Sequence, residues 1–181
     1  MSLPSLQSSD FELFGLAPRF AQERSAIDAR WKALQREAHP DKFAAQGASA
    51  QRLAMQWSVR INEAYQRLRD PLKRAAYLCE LNGAPVNAEN NTAMPADFLM
   101  QQMQWRESLE QASSLADVYE ITAELSDSKK ALLQKCEALL DQAHDYPVAV
   151  AQVRALMFLD RFASDVEKRL DELESQFSRL L

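Results

Sequence analysis

Apolar positions recur along this chain at steps of three and four, the spacing of one helical face. Asp10 to Leu16 reads as a short helix, stopped by Gly15 and Pro18. A longer helix is expected from about Glu23 to Ala38. Its apolar face carries Ile27, Trp31, Leu34 and Ala38, and the opposite face carries Arg24, Arg30, Lys32 and Arg36. Pro40 ends it, because proline disfavours helical geometry at the residue before it. A loop from His39 to Gly47 follows. A third helix, from about Ala48 to Leu68, is expected to bury Leu53, Trp57, Ile61, Ala64, Tyr65 and Leu68. Asp70 caps a fourth, with Pro71 at its first position and Leu72, Ala75, Ala76 and Cys79 as its stripe.

The segment from Asn82 to Ala93, NGAPVNAENNTA, is rich in Asn and holds Gly and Pro, which is a linker signature. The expected organisation is an N-terminal unit over 1–81, a linker over 82–94 and a C-terminal unit over 95–181. Three helical segments follow the linker. The first runs from about Pro95 to Ala112. The second runs from Leu115 to Ala143, with Val118, Thr122, Leu125, Leu132, Cys136, Leu139 and Ala143 near heptad spacing. The third runs from Pro147 to Leu180, with Leu159, Phe162, Val166, Leu170, Leu173, Phe177 and Leu180 on one face. Long helices joined by short turns predict an antiparallel three-helix bundle.

Composition agrees. Only 3 of 181 residues are Gly, which argues against a strand-rich fold and leaves no room for a GxGxxG or GxxxxGK[ST] phosphate loop. Helix formers fill the rest, so the fold class is all-α. The net charge of −5 excludes a general nucleic-acid binder, which needs a dense basic surface. The charge is uneven. Up to Ala93 there are 12 Lys and Arg against 10 Asp and Glu, and from Met94 on there are 9 against 16. Two electrostatically different halves suggest two different partners. Cys79 and Cys136 form no CxxC pair and read as small buried hydrophobes. The N-terminal residues MSLPSLQSSDFELF lack the features of a signal peptide, and no apolar run approaches membrane-spanning length. The expectation is a soluble cytosolic chain that does not bind membranes.

The sharpest local chemistry is His39-Pro40-Asp41. Proline fixes the backbone at the tip of a helix hairpin and projects an imidazole and a carboxylate beside a basic helix face. Alone, the tripeptide is also what a solvated turn with a helix-ending proline looks like. A catalytic or metal reading lacks partners. The other histidine, His144, lies in the other half beside Asp145, and no nucleophile motif such as GxSxG is present. The surroundings of the tripeptide are more specific. DFELFGL, then a basic helix ending WKALQREAHPDKF, then INEAYQRLRDPLKRAAYL, resembles the J-domain of DnaJ-type co-chaperones. The resemblance implies that His39, Pro40 and Asp41 form a loop that docks on a DnaK-type ATPase chaperone and accelerates its ATP hydrolysis. It also implies that Arg30, Lys32, Arg36 and Lys42 supply the electrostatic contacts. Asp41 can accept charge-assisted hydrogen bonds from an arginine of the partner.

The helix from Pro95 to Ala112 carries a second feature. At about 100° per residue, Trp105, Leu109 and Ala112 fall within about 40° of Phe98 and form one core stripe. Leu99, Met103 and Met100 fall at about 100°, 140° and 200°, well off it. A second Leu/Met stripe either packs on the N-terminal half or grips a partner, and methionine suits an adaptable grip. Phe158 lies about 80° off its own helix's stripe and is expected to join the same exposed patch. J-domain, Asn-rich segment and acidic helical bundle together resemble the HscB family, the J-proteins of iron–sulfur cluster assembly. FLMQQMQWRESLE and VRALMFLDRF resemble the two segments of that family's bundle that face the scaffold protein IscU. The resemblance implies a scaffold site of Leu99, Met100, Met103, Gln104, Glu107 and Phe158, with Arg106 at its rim. It further implies HscA as the ATPase partner, no cofactor, no activity of the chain's own as an enzyme, and a bacterial form acting in the cytoplasm. Family members often carry an acidic residue where Gln104 stands, and the N-terminal CxxC pair of eukaryotic members is absent. Two other readings remain at this stage: a J-protein serving a general DnaK-type chaperone with a different client, and an adaptor bundle in which His39-Pro40-Asp41 is only a turn.

Overall fold

The computed structural model describes residues 5–87 and 93–178, apart from the side chains of Ala44 and Phe177. The described residues contain helices and no strand. They form two compact units, Met1–Leu78 and Cys79–Leu181. The division falls inside a helix, a few residues before the Asn-rich segment.

In the first unit, α1 (Asp10–Phe14) opens with a capping box. Ser9 Oγ accepts from the Glu12 amide at 3.2 Å, and Glu12 Oε2 accepts from the Ser9 amide at 2.8 Å. Gly15 closes α1 in the left-handed region, at φ 63°. α2 (Arg24–Glu37) and α3 (Ala48–Arg69) form an antiparallel hairpin, joined by a 3-10 helix (Pro40–Gln46) where a loop was expected. Ile27, Leu34 and Ala38 are buried with Phe11, Leu13 and Phe14 of α1 and with Ala54, Ile61, Ala64 and Leu68 of α3. The buried face of α3 is therefore displaced by one residue at its start. Leu53, expected inside, is 49% exposed, and Ala54 takes the place. Trp57 and Tyr65 are half-buried. α4 (Pro71–Leu81) starts as expected, with Asp70 Oδ1 accepting from the Lys73 amide at 3.1 Å.

One charge lies at the centre of this unit. Asp10 is fully buried, with Arg60 Nη2 at 2.7 Å and Arg67 Nη1 at 3.2 Å. The Asp10 amide donates to Tyr77 Oη at 3.0 Å. A carboxylate without water requires such compensation.

The second unit contains α5 (Ala96–Gln111), α6 (Leu115–Glu137) and α7 (Tyr146–Ser178). Ser114 and Asp117 cap α6, and the Ser113 and Ser114 amides hold the Asp117 carboxyl below its ordinary range. α6 continues into a π-helical stretch, Ala138–Ala143, ended by His144 in the left-handed region at φ 51°. The buried stripe of α6 is Val118, Ile121, Leu125, Leu132 and Cys136, followed by Leu140. Thr122 and Ala143, expected inside, are exposed, and Leu139 is half-buried. The wider π turn breaks the heptad phase there. On α7, Leu159, Phe162, Val166 and Leu173 are buried as expected and Leu170 is half-buried. Leu180 lies outside the described residues. Part of the Asn-rich segment is tied to α7. Buried Arg154 donates to Val86 O at 2.9 Å and to Ala93 O at 3.2 Å.

Candidate functional site

The first candidate surface is the turn after α2. The residue before a proline is driven to extended geometry, and His39 has φ −61° and ψ 126°. Pro40 then starts the 3-10 helix at a position whose amide would have no partner. His39 Nδ1 accepts from the Asp41 amide at 3.3 Å, so the neutral ring carries its proton on Nε2. Asp41 Oδ2 lies 3.5 Å from the same nitrogen. The side chains of His39 and Asp41 remain 58% and 89% exposed. The tip is thus ordered by its own backbone and open to a partner.

Lys32, Arg36 and Lys42 are exposed and Arg30 is half-buried. Among the described residues none of these four is paired with a carboxylate. Arg24, six residues before Arg30, contrasts with them. It bonds Asp28 at 3.1 Å, and Asp28 also accepts from Tyr65 Oη at 2.9 Å. That tyrosine hydrogen bond, with the arginine, holds the Asp28 carboxyl below its ordinary range. The carboxylate of α2 nearest the hairpin seam is thereby occupied, and the cationic face beyond it is left uncompensated.

A feature of this surface was missed in the sequence. Trp31, expected as core, stacks on Tyr65 with ring centres 4.7 Å apart and is only half-buried. Its Nε1–H donates to Asn62 Oδ1 at 3.0 Å, and Gln35 Nε2 donates to the same oxygen at 2.7 Å. These residues line an open cleft with Lys32 and Arg36.

The second candidate surface is α5. Phe98 and Trp105 are buried, and Trp105 Nε1 donates to Glu124 Oε2 at 2.8 Å. Off that stripe, Leu99 is 38% exposed and Met100 and Met103 are each 69% exposed. Gln104, Arg106 and Glu107 are exposed beside them, and Glu107 accepts from Gln111 Nε2 at 3.2 Å. Phe158 corrects the sequence expectation. It is buried, edge-on to Phe98 at 5.7 Å and stacked on Phe162 at 5.7 Å, with the Arg106 guanidinium 5.4 Å from its ring centre. Nearly the whole circumference of α7 from Ala149 to Leu159 is buried, so even an off-stripe residue is covered.

Both cysteines are buried, and burial pushes their thiols up, Cys79 to about 11 and Cys136 to about 12. Among the described residues no group of three or more His, Cys, Asp or Glu could hold a metal ion. No described helix is long and apolar enough to cross a membrane.

Comparison with known proteins gives the family. Residues 94–167 match the family model described as the HSCB C-terminal oligomerisation domain. The chain is 50% identical to a co-chaperone protein HscB homolog of Burkholderia multivorans over 174 residues, covering 94% of this chain and 99% of that one. It is 48% identical to the homolog of Burkholderia cenocepacia over the same length. Among solved structures, chaperone HscB from Vibrio cholerae superposes with a TM-score of 0.83 at 36% identity, covering 91% of this chain and 99% of that one. Human co-chaperone protein HscB superposes with a TM-score of 0.84 at 23% identity, covering 93% of this chain and 85% of that one, a likeness of fold. The chain belongs to the HscB family of co-chaperones, a non-catalytic family.

Proposed function

We propose that this co-chaperone stimulates ATP hydrolysis by the DnaK-type chaperone HscA and delivers the scaffold protein IscU to it, in the bacterial cytoplasm, so that the iron–sulfur cluster passes to acceptor proteins. The observation that carries the reading is the unpaired cationic face of α2 ending in an exposed His39-Pro40-Asp41 tip. Such a face steers a protein with an acidic surface. The exposed Leu99, Met100 and Met103 supply the apolar grip for the scaffold, with Gln104, Arg106 and Glu107 as its polar rim and Phe158 as its floor beneath Arg106. Carrying both surfaces on one chain raises the concentration of scaffold near the ATPase.

The test separates the two surfaces. His39→Gln removes ATPase stimulation and leaves scaffold affinity unchanged. Leu99→Ala with Met103→Ala weakens scaffold binding and leaves the stimulation reached at saturating scaffold unchanged. If both variants lose both activities, the division of labour is wrong. A general DnaK-type chaperone stimulated better than HscA would favour a different client. A second reading has one observation behind it, the word oligomerisation in the description of the matching family model. On that reading the α5 stripe joins copies of the chain, and sedimentation at rising concentration would show a dimer lost in the Leu99/Met103 variant.

A further inference from the structure

The first turn of α5 borders a pocket within the second unit that has no role in the reading so far. Ser128, Leu132 and Lys135 recur at steps of four and three along α6 and so share one face of it. Asp97 and Phe98 of α5 and Gln152 of α7 line the remaining sides. The pocket has a volume of about 210 Å³, far more than the roughly 30 Å³ that one water occupies.

Three of its polar groups lack partners. Gln152 is 7% exposed, and its Oε1 is buried with no hydrogen-bond partner among the described residues. An amide oxygen left in that state is costly, and a donor brought into the pocket removes the cost. Asp97 and Lys135 carry opposite charges on the same pocket, yet neither makes an ion pair among the described residues. Asp97 Oδ1 accepts from the Phe98 amide at 3.0 Å, which leaves its charge without a counter-ion. Phe98 and Leu132 are buried and give the pocket an apolar wall. A ligand that is only a cation is repelled by Lys135, and one that is only an anion by Asp97. A small zwitterion meets both charges, and its ammonium supplies the donor that Gln152 Oε1 lacks.

We propose that this pocket binds a free α-amino acid with a short apolar side chain. The ammonium lies between Asp97 and Gln152 Oε1, the carboxylate on Lys135 and the Ser128 hydroxyl, and the side chain against Phe98 and Leu132. The site shares no residue with the Leu99/Met103 stripe or the His39-Pro40-Asp41 tip. It therefore stands whether or not those surfaces dock a partner.

L-Valine is titrated into the full chain and followed by two-dimensional amide spectra, with L-alanine as a second probe. The expected result is a saturable shift of the Ser128, Lys135 and Gln152 amides, half-complete at or below about 1 mM. N-Acetyl-L-valine has no ammonium and L-valinamide no carboxylate, so each should bind at least about tenfold more weakly. Asp97→Asn and Lys135→Gln change exposed side chains, should melt like wild type, and should each raise the half-saturating concentration about tenfold. Gln152→Met fills the same space without an acceptor and should lose binding with no fall in melting temperature. The two exposed variants decide the matter if Gln152→Met does not fold. The absence of a saturable shift up to about 10 mM of either amino acid would overturn the proposal and leave the pocket to water. Equal binding of the acetylated or amidated probe, or of the Asp97→Asn and Lys135→Gln proteins, would also overturn it.

Discussion

The Arg106 guanidinium lies 5.4 Å from the centre of the Phe158 ring, and Phe158 is only 8% exposed beneath it. Arg106 stands one turn after Met103 on α5, so the exposed Leu/Met stripe and the buried aromatic cluster share a border. The aromatic ring is part of the bundle's core, and the stripe beside it is free surface.

That distinction predicts two kinds of variant. Leu99→Ala and Met103→Ala should leave stability within about 0.5 kcal/mol of wild type, because exposed side chains contribute little to the fold. Each should cost about 1–3 kcal/mol of scaffold binding. Phe158→Ala should cost about 3–5 kcal/mol of stability, since it opens a cavity against Phe98 and Phe162. Urea unfolding and calorimetric titration with the scaffold check both. A Leu99/Met103 variant as unstable as Phe158→Ala would show that the stripe is core.

Asp10 gives a prediction for the first unit. Replacing it with Ala leaves Arg60, whose side chain is 19% exposed, and Arg67 without their buried counter-charge. Removing one partner of such a pair costs about 3–5 kcal/mol. The variant should lose ATPase stimulation through unfolding of this unit, visible as a lowered melting temperature. A melt like wild type would contradict the account.

The buried cysteines predict a loss of stability in alkali. In the unfolded chain the thiols titrate near 9.0, whereas the fold raises them to about 11 and about 12. Between these values the unfolded chain has lost protons that the folded chain keeps, so stability falls as pH rises. The contribution is fully present below pH 9.0 and disappears as pH climbs through the folded values. The urea midpoint should therefore drop from about pH 9 upward. The Cys79→Ala/Cys136→Ala variant should lose that part of the slope. An equal slope in the variant would assign it to other groups.

The sequence was readable where one apolar stripe faces one neighbour. Ile27, Leu34, Ile61, Leu68, Val118 and Leu125 stand where helical spacing puts them. It misled where a helix is covered on several sides, as α7 is at Phe158, and where the helical step changes, as in the π turn that buries Leu140 in place of Leu139. The His39-Pro40-Asp41 tip was legible because proline dictates local geometry. The Asn62 brace was not, because its partners are 27 and 31 residues away and polar residues carry no periodic signal. Arg154 reads as surface in sequence, yet it is buried by bonding the carbonyls of Val86 and Ala93.

The central claim is that the tip of α2 activates an ATPase while α5 holds its client. Steady-state ATP hydrolysis by HscA, measured with IscU present as this protein is added, tests it most directly. The account predicts strong stimulation that requires both partners, vanishes with His39→Gln and shifts to higher scaffold concentration with Leu99→Ala/Met103→Ala. Stimulation by the folded His39→Gln protein equal to that of wild type would contradict it.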